Sequence, residues 1–210
     1  MKLNWATRIT ILRILLIAPF VSCMLKINDP DLTPALQKVV RYLAIVIYSA
    51  MAVSDGVDGY LARRRNQITR LGAFLDPLAD KLLITSACLL LASARSHVPG
   101  FMIPPTVVVL IIAKDLFLLI GFAIVYMITL QIRIAPVFIG KLATALQLIM
   151  VAGILIGPEA SVVFSGWIWL LRALWWSAAG TAIWATLIYT RNGSRYIAEY
   201  EQSLANRNQK

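Results

Sequence analysis

Long apolar runs, separated by short polar connections, set the hydrophobic pattern of this chain. Several of these runs exceed the ~18 apolar residues that suggest a helix crossing a bilayer. The pattern therefore predicts an all-α, polytopic membrane protein with six transmembrane helices. The predicted spans are residues 10–25, 39–62, 71–94, 104–126, 137–156 and 167–189.

The two ends of the chain bound the membrane domain. The N-terminus combines a basic start with an apolar run but lacks a convincing small-residue cleavage site, so we expect it to be kept as the first helix. The C-terminal segment is polar and is expected to lie in water or on the membrane surface. We therefore predict one membrane domain over residues 1–195 and a polar tail over residues 196–210.

Composition supports a membrane protein and argues against a protein that binds nucleic acid. Apolar residues make up 60% of the chain and charged residues only 14%, whereas a soluble domain carries about a quarter charged residues. The net charge of +10 would otherwise suggest a nucleic-acid partner. Because the basic residues stand at the ends of apolar runs, they fit the charge bias of membrane proteins better, and no nucleic-acid partner is expected.

The basic residues also predict an orientation. With six spans, most of them fall on one side of the membrane, and the positive-inside rule assigns that side to the cytoplasm. The exceptions are Lys26, Lys38 and Arg41, which follow the first span. We expect an integral protein of the bacterial inner membrane, whose cytoplasmic connections and tail carry Arg63, Arg64, Arg65, Arg70, Arg133, Lys141, Arg191 and Arg195.

Four aspartates stand at the facing ends of the second and third predicted spans. Asp55 and Asp58 are three residues apart, and Asp76 and Asp80 are four apart, so each pair shares one face of a helix. A short basic turn joins the two helices and lets the pairs converge on the cytoplasmic side. Each ionised aspartate in a span costs roughly 2.5–3.5 kcal/mol, so a bound divalent metal is the most direct compensation.

The residue types around the aspartates indicate the chemistry of such a site. Oxygen ligands alone favour Mg²⁺ or Mn²⁺, and two such ions can clamp a pyrophosphate. Gly59 and Gly72 leave the helix surfaces bare beside the carboxylates, and Arg63 follows Gly59 by one turn, where it can neutralise a phosphate. Asp80, farthest along its helix, is the candidate base that accepts a proton from an attacking hydroxyl.

Together these residues form the pattern D-x2-D-G-x2-A-R, then eight residues, then G-x3-D-x3-D. The pattern resembles the signature of the CDP-alcohol phosphatidyltransferases at every defining position. The resemblance implies six spans with a short N-terminal juxtamembrane amphipathic segment, a homodimer, two divalent cations, CDP-diacylglycerol as donor and Asp80 as base. It implies metal ligation by Asp55, Asp58, Asp76 and Asp80, and CDP-lipid contacts by Thr10, Gly59, Ala62, Arg63 and Gly72.

The second substrate is an alcohol acceptor, and residues 71–84 resemble the anionic-phospholipid branch of the family, which uses glycerol 3-phosphate or phosphatidylglycerol. Phosphatidylglycerophosphate synthases typically have additional basic residues on the fourth and fifth spans, whereas this chain has Ala143 at one such position. A near-dianionic phosphate is bound best by several cations, so the pattern favours phosphatidylglycerol, the acceptor of CMP-forming cardiolipin synthases. Glycerol 3-phosphate is the alternative. The candidate acceptor-binding residues are Lys114, Asp115, Arg133 and Lys141.

Two functions of a different class also place carboxylates inside a membrane. An ion-coupled transporter would more often show internal repeats and broken helices, and the sequence has no evident repeat. An intramembrane prenyltransferase also uses metal-bound pyrophosphate, but it is expected to carry two Asp-rich motifs far apart in the chain. The compact spacing of the four aspartates therefore favours the lipid transferase over both.

Overall fold

The computed structural model describes residues 5–65, 70–129 and 138–208, and within these ranges the chain forms seven α-helices and no strand. Six of the helices are long and one is a short connector. Their bounds are α1 Trp5–Leu25, α2 Pro34–Arg65, α3 Arg70–Ala92, α4 Pro105–Thr129, α5 Phe138–Leu155, α6 Gly157–Val163 and α7 Trp167–Asn208.

The six long helices coincide with the six predicted runs, and the all-helical class is confirmed. Four of them are long and apolar enough to cross a membrane: α1, α2, α4 and α5. The sequence of α3 is interrupted by charges that include Asp80 and Lys81. The sequence of α7 contains Arg172 and several tryptophans, which lower its mean hydropathy. Six spans therefore stay a prediction, although a membrane protein is indicated.

The first and last helices extend beyond the predicted first and last spans. The helix of the first span begins at Trp5, so no break separates it from the expected amphipathic start, of which residues 1–4 lie outside the described ranges. At the other end α7 continues through residue 195 to Asn208. The polar tail thus begins as an extension of the last helix.

The helices pack as two groups that share a core. α1 lies against α2 and α3, α7 lies against α4 and α5, and α3 contacts both α4 and α5. The rings of Phe20 and Tyr48 stack in a tilted arrangement with centroids 5.9 Å apart. Buried aliphatic and methionine side chains such as Met51, Leu83 and Ile111 fill the space around them. Apolar packing therefore holds α3 at the centre of the bundle.

One end of the bundle collects three connections. The Asn28 amide donates a 2.8 Å hydrogen bond to the His97 carbonyl. Arg41 donates to the Leu155 carbonyl at 3.2 Å and forms an ion pair with Glu159 on α6. Arg41, an exception in the charge pattern, is thus a buried partner of Glu159 and not a loop charge. The C-terminal end of α2 and the N-terminal end of α3 lie at the opposite end of the bundle, because α2 leads away from these connections and α3 leads back to them.

Candidate active site

The backbone of α2 and α3 supports the predicted aspartate array. Both helices are continuous across the motif, so the three- and four-residue spacings place each pair of aspartates on one helical face. The structure describes neither the surroundings of Gly59 and Gly72 nor five other side chains of the motif, which are those of Asp55, Asp58, Ala62, Arg63 and Asp76, and the whole of Arg133 lies outside the described residues. Their roles stay predictions.

Asp80 is the aspartate of the motif whose side chain the structure describes. It is half-buried on α3, which packs against α1, α4 and α5. On α2, the hydroxyl of the buried Tyr48 donates a 2.9 Å hydrogen bond to the Leu148 carbonyl of α5. The candidate base therefore lies partly sheltered on a helix that packs against three others.

Thr10 and Arg13 lie on the buried face of α1. Thr10 is fully buried and Arg13 is 1% exposed. Because they are three residues apart, both project from the same side of a helix that packs against α2 and α3. The structure therefore directs the predicted lipid-contact residue Thr10 toward the two helices that carry the motif, together with a buried arginine.

Lys114 and Asp115, two of the candidate acceptor residues, form a charge cluster with Lys81 of α3. One carboxylate oxygen of Asp115, Oδ1, is 2.5 Å from the Lys81 Nζ and 3.0 Å from the Lys114 Nζ. Lys114 is buried near the middle of the candidate span Pro105–Val125. Two ammonium groups thus share one carboxylate oxygen in the centre of the bundle.

The fourth acceptor candidate, Lys141, is exposed at the start of α5. Its neighbour Gly140 lies under the ring of Tyr189 from α7, and a Cβ on Gly140 would be 2.8 Å from the Tyr189 hydroxyl. A larger residue would therefore require the Tyr189 ring to move. Lys141 is thus exposed whereas Lys114 is buried, and among the described residues no ion pair joins Lys141 to Asp115.

Further polar groups lie deeper on α5. Gln147 is fully buried, and among the described residues neither atom of its amide has a hydrogen-bond partner. Thr144, one turn earlier, donates to the Gly140 carbonyl of its own helix at 3.2 Å. The bundle interior therefore contains hydrogen-bonding capacity that its apolar packing does not use.

The predicted metal ligands are the four motif aspartates, of which Asp80 has a described side chain. The described side chains, which include Asp80 but not the other three motif aspartates, contain no group of three or more potential metal ligands. The predicted donor set consists of carboxylates, which suit hard divalent cations. The residue types therefore fit such a site.

Comparison with known proteins identifies the family. The model of the CDP-alcohol phosphatidyltransferase family matches residues 3–190. The chain belongs to this family. This phosphatidyltransferase is therefore an enzyme, and its family uses divalent cations. The transporter and the prenyltransferase have no support from the match.

Curated relatives resemble nearly the whole chain. A protein of Escherichia coli K12 is 33% identical over 191 residues, which cover 90% of this chain and 94% of the relative. Proteins of Shigella sonnei and Shigella boydii have the same identity and coverage. All three are named CDP-diacylglycerol–glycerol-3-phosphate 3-phosphatidyltransferase. These names belong to the anionic-phospholipid branch of the family.

Sequence reasoning missed Lys81 and Tyr48. Lys81 stands beside Asp80 within the motif region, and a cation next to a candidate base was a usable signal. Tyr48 carried no such signal, because an aromatic residue in an apolar run is normally interpreted as part of the hydrophobic core. Its polar contact depends on the pairing of α2 with α5, which the sequence pattern does not specify.

Proposed function

We propose that this phosphatidyltransferase transfers the phosphatidyl group of CDP-diacylglycerol to glycerol 3-phosphate and releases CMP. The observation that carries the choice of acceptor is the sharing of one Asp115 oxygen by the ammonium groups of Lys81 and Lys114. Two cations and one anion leave a net positive charge in a partly buried site, where electrostatic attraction is strong. Such a site favours an acceptor that brings an anionic phosphate group.

The relatives give independent support. Their names specify glycerol 3-phosphate, and the similarity extends over most of both chains. Sequence alone favours phosphatidylglycerol because it shows few cations around the fourth span. Lys81 adds one from α3, which was not counted there. The revised cation count favours the phosphate monoester, which is near-dianionic at neutral pH.

In the proposed reaction, a hydroxyl oxygen of glycerol 3-phosphate attacks the phosphorus that carries the diacylglycerol. A P–O bond forms to the acceptor, the P–O bond to CMP breaks, and CMP leaves with that electron pair. Asp80 takes the proton of the attacking hydroxyl, because a positioned carboxylate can act as a general base. Its place on α3 directly before Lys81 puts base and cation on consecutive residues.

We further propose that two divalent cations, Mg²⁺ or Mn²⁺, bind to the four motif aspartates. The support is the carboxylate donor set on two continuous helices that meet at one end of the bundle. When bound, the cations supply charge stabilisation to the pyrophosphate of the donor. The aspartates concerned are Asp55, Asp58, Asp76 and Asp80.

The CDP-lipid is proposed to lie along the same helices. Thr10 supports this placement, because it is buried on the face of α1 that packs against α2 and α3. Glycine and alanine positions on α2 and α3 leave room for close approach of the nucleotide to the helix backbone. The residues proposed to contact it are Thr10, Gly59, Ala62, Arg63 and Gly72.

The cellular setting is part of the proposal. The bias of basic residues predicts that the motif end of the bundle faces the cytoplasm of a bacterial cell. The relatives from Escherichia and Shigella support a bacterial membrane. A homodimer, with Lys141 and Arg133 as further acceptor contacts, stays an expectation from the family resemblance.

Phosphatidylglycerol is the second candidate acceptor. The observation in its favour is Ala143, which is fully buried on α5 and puts a methyl group where a further cation would strengthen phosphate binding. A phosphodiester with one negative charge needs fewer cations than a phosphate monoester. The two acceptors thus make opposite demands on the same region of the protein.

A direct assay separates the two acceptors. The purified protein is given CDP-diacylglycerol with Mg²⁺ or Mn²⁺ and either glycerol 3-phosphate or phosphatidylglycerol, and CMP release is measured. CMP and a phosphatidylglycerophosphate product are expected with glycerol 3-phosphate. Turnover with phosphatidylglycerol alone would reject the proposed acceptor, and excess chelator is expected to stop the reaction.

Asp80→Asn tests the proposed base. The amide keeps the size of the side chain but cannot accept the hydroxyl proton, so kcat is expected to fall by about 100-fold or more. Binding of CDP-diacylglycerol, measured by calorimetry in detergent with metal present, is expected to change little. Equal loss of binding would make Asp80 chiefly a metal ligand.

A further inference from the structure

We propose that Lys81 binds the phosphate of the acceptor, and that Asp115 is the positioning residue that holds Lys81 and Lys114 for it. The inference deepens the proposed function and rests on it, because it concerns the same acceptor site. Lys81 is not one of the fixed positions of the aspartate motif, and the structure describes its side chain together with those of Asp115 and Lys114.

Two ammonium groups contact the same carboxylate oxygen. The Lys81 and Lys114 ammonium groups both contact Oδ1 of Asp115, so they lie within a few ångströms of each other. The second oxygen, Oδ2, is buried and receives no hydrogen bond from the described residues. The carboxylate therefore serves as the common anchor of two ammonium groups that would otherwise repel each other.

The charge of the cluster is incompletely balanced. If the four motif aspartates are committed to two divalent cations, as proposed above, Asp115 remains to neutralise two lysines. A buried charge without a partner is costly, so the cluster gains from one more anionic group. A phosphate supplies that group and can contact both ammonium groups at once.

The two lysines differ in exposure. The side chain of Lys114 is 2% exposed, whereas that of Lys81 is 36% exposed. Lys81 also stands at the midpoint of the 23-residue α3. Contact of a charged lysine with lipid acyl chains near the middle of a helix would cost free energy. The exposed part of the Lys81 side chain is therefore expected to face a polar cavity. Lys81 is therefore the lysine of the pair that an entering substrate meets.

The position of Lys81 also suits the shape of the acceptor. Glycerol 3-phosphate carries its reacting hydroxyl and its phosphate at opposite ends of a three-carbon chain. Asp80 and Lys81 project from one helix about 100° apart, which separates base and cation while keeping them on the same segment. One end of the acceptor can thus meet Asp80 while the other end meets Lys81.

Asp115 needs a separate interpretation, because a carboxylate repels a phosphate. Its contacts indicate that it acts through the lysines and does not itself touch the acceptor. This assignment makes a directional prediction. If Asp115 only repelled the phosphate, Asp115→Asn would tighten phosphate binding, whereas loss of positioning weakens it.

The test uses steady-state CMP release by the full-length protein in detergent at varied concentrations of both substrates. Lys81→Gln is expected to raise KM for glycerol 3-phosphate by about tenfold or more, and KM for CDP-diacylglycerol by less than about twofold. Lys81→Arg is expected to restore most of the affinity. Inorganic phosphate, used as a competitive inhibitor of the acceptor, should lose inhibition in Lys81→Gln by a similar factor. The matched control is Lys38→Gln, which replaces an exposed lysine near the start of α2.

The outcomes distinguish this inference from the proposed function. Equal rises in both KM values in Lys81→Gln, unchanged inhibition by phosphate, or tighter phosphate inhibition in Asp115→Asn would overturn the inference. If the wild type turns over only with phosphatidylglycerol, the proposed acceptor fails. Phosphate inhibition of that reaction then decides the inference: sensitivity to Lys81→Gln supports an anion site at Lys81, and insensitivity rejects it.

Discussion

Two charge clusters lie at different places in this bundle, and they differ in how their charges are balanced. Near the connections, Arg41 pairs with Glu159 through both of its terminal nitrogens and also donates to the Leu155 carbonyl. Tyr42 adds a 2.8 Å hydrogen bond to the same carboxylate. In the centre, Lys81 and Lys114 share one oxygen of a single carboxylate.

Under the proposed function, this difference separates a structural contact from a binding contact. The Arg41–Glu159 pair matches one cation with one anion and joins α2 to α6 with good hydrogen bonding, which is what a buried ion pair needs for stability. The central cluster has an excess cation and a buried carboxylate oxygen without a partner among the described residues. Cooperative folding alone gives no reason for that excess, whereas binding of an anionic substrate does.

The largest expected effect comes from Lys114→Met. Loss of a buried cation that contacts a phosphate should lower kcat/KM for glycerol 3-phosphate by about 100-fold. Asp115 keeps Lys81 as a partner, so the unfolding midpoint in detergent should change little. A large loss of stability with normal kinetics in the surviving protein would assign the central cluster to structure instead and remove the contrast between the two clusters.

Arg41→Met should give the reverse pattern. Removal of the guanidinium breaks the ion pair and the bond to the Leu155 carbonyl, and is expected to cost about 1–3 kcal/mol of stability, discounted for the exposure of Glu159. KM for both substrates should stay within about twofold of the wild type at a temperature where the protein is folded. The double variant Arg41→Met with Glu159→Gln should recover part of the loss, because it also removes the unpaired carboxylate.

Much of this architecture follows from sequence, for identifiable physical reasons. Length and hydropathy locate the six long helices, because a membrane span needs a long apolar run. Helical periodicity places Asp76 and Asp80 on one face. The contacts across helices do not follow in this way: the pairing of Lys81 with Asp115 depends on how α3 and α4 rotate against each other. The same limit applies to Arg41. The sequence predicts a loop charge at this position, whereas the structure pairs it with Glu159 of α6.

The smallest expected effect is a pH dependence of the Arg41–Glu159 cluster. The hydrogen bond from Arg41 holds the pKa of Glu159 below its ordinary value of 4.5, with a smaller contribution from Tyr42. Because the folded-state pKa is the lower one, the stabilisation is fully present above pH 4.5 and is lost as the pH falls through the folded-state pKa. The Glu159 side chain is 42% exposed, so screening by solvent keeps the effect below about 1 kcal/mol.

The measurement compares unfolding midpoints of the wild type and Glu159→Gln in detergent from about pH 6 down to about pH 3. The advantage of the wild type should shrink as the pH falls, because only its carboxylate loses charge. Lys81→Gln should leave that difference unchanged, since it removes a cation from the other cluster and leaves the charge of Glu159 intact. If it instead abolished the pH dependence, the two clusters would be coupled, and the separation of a structural end from a binding centre would be wrong.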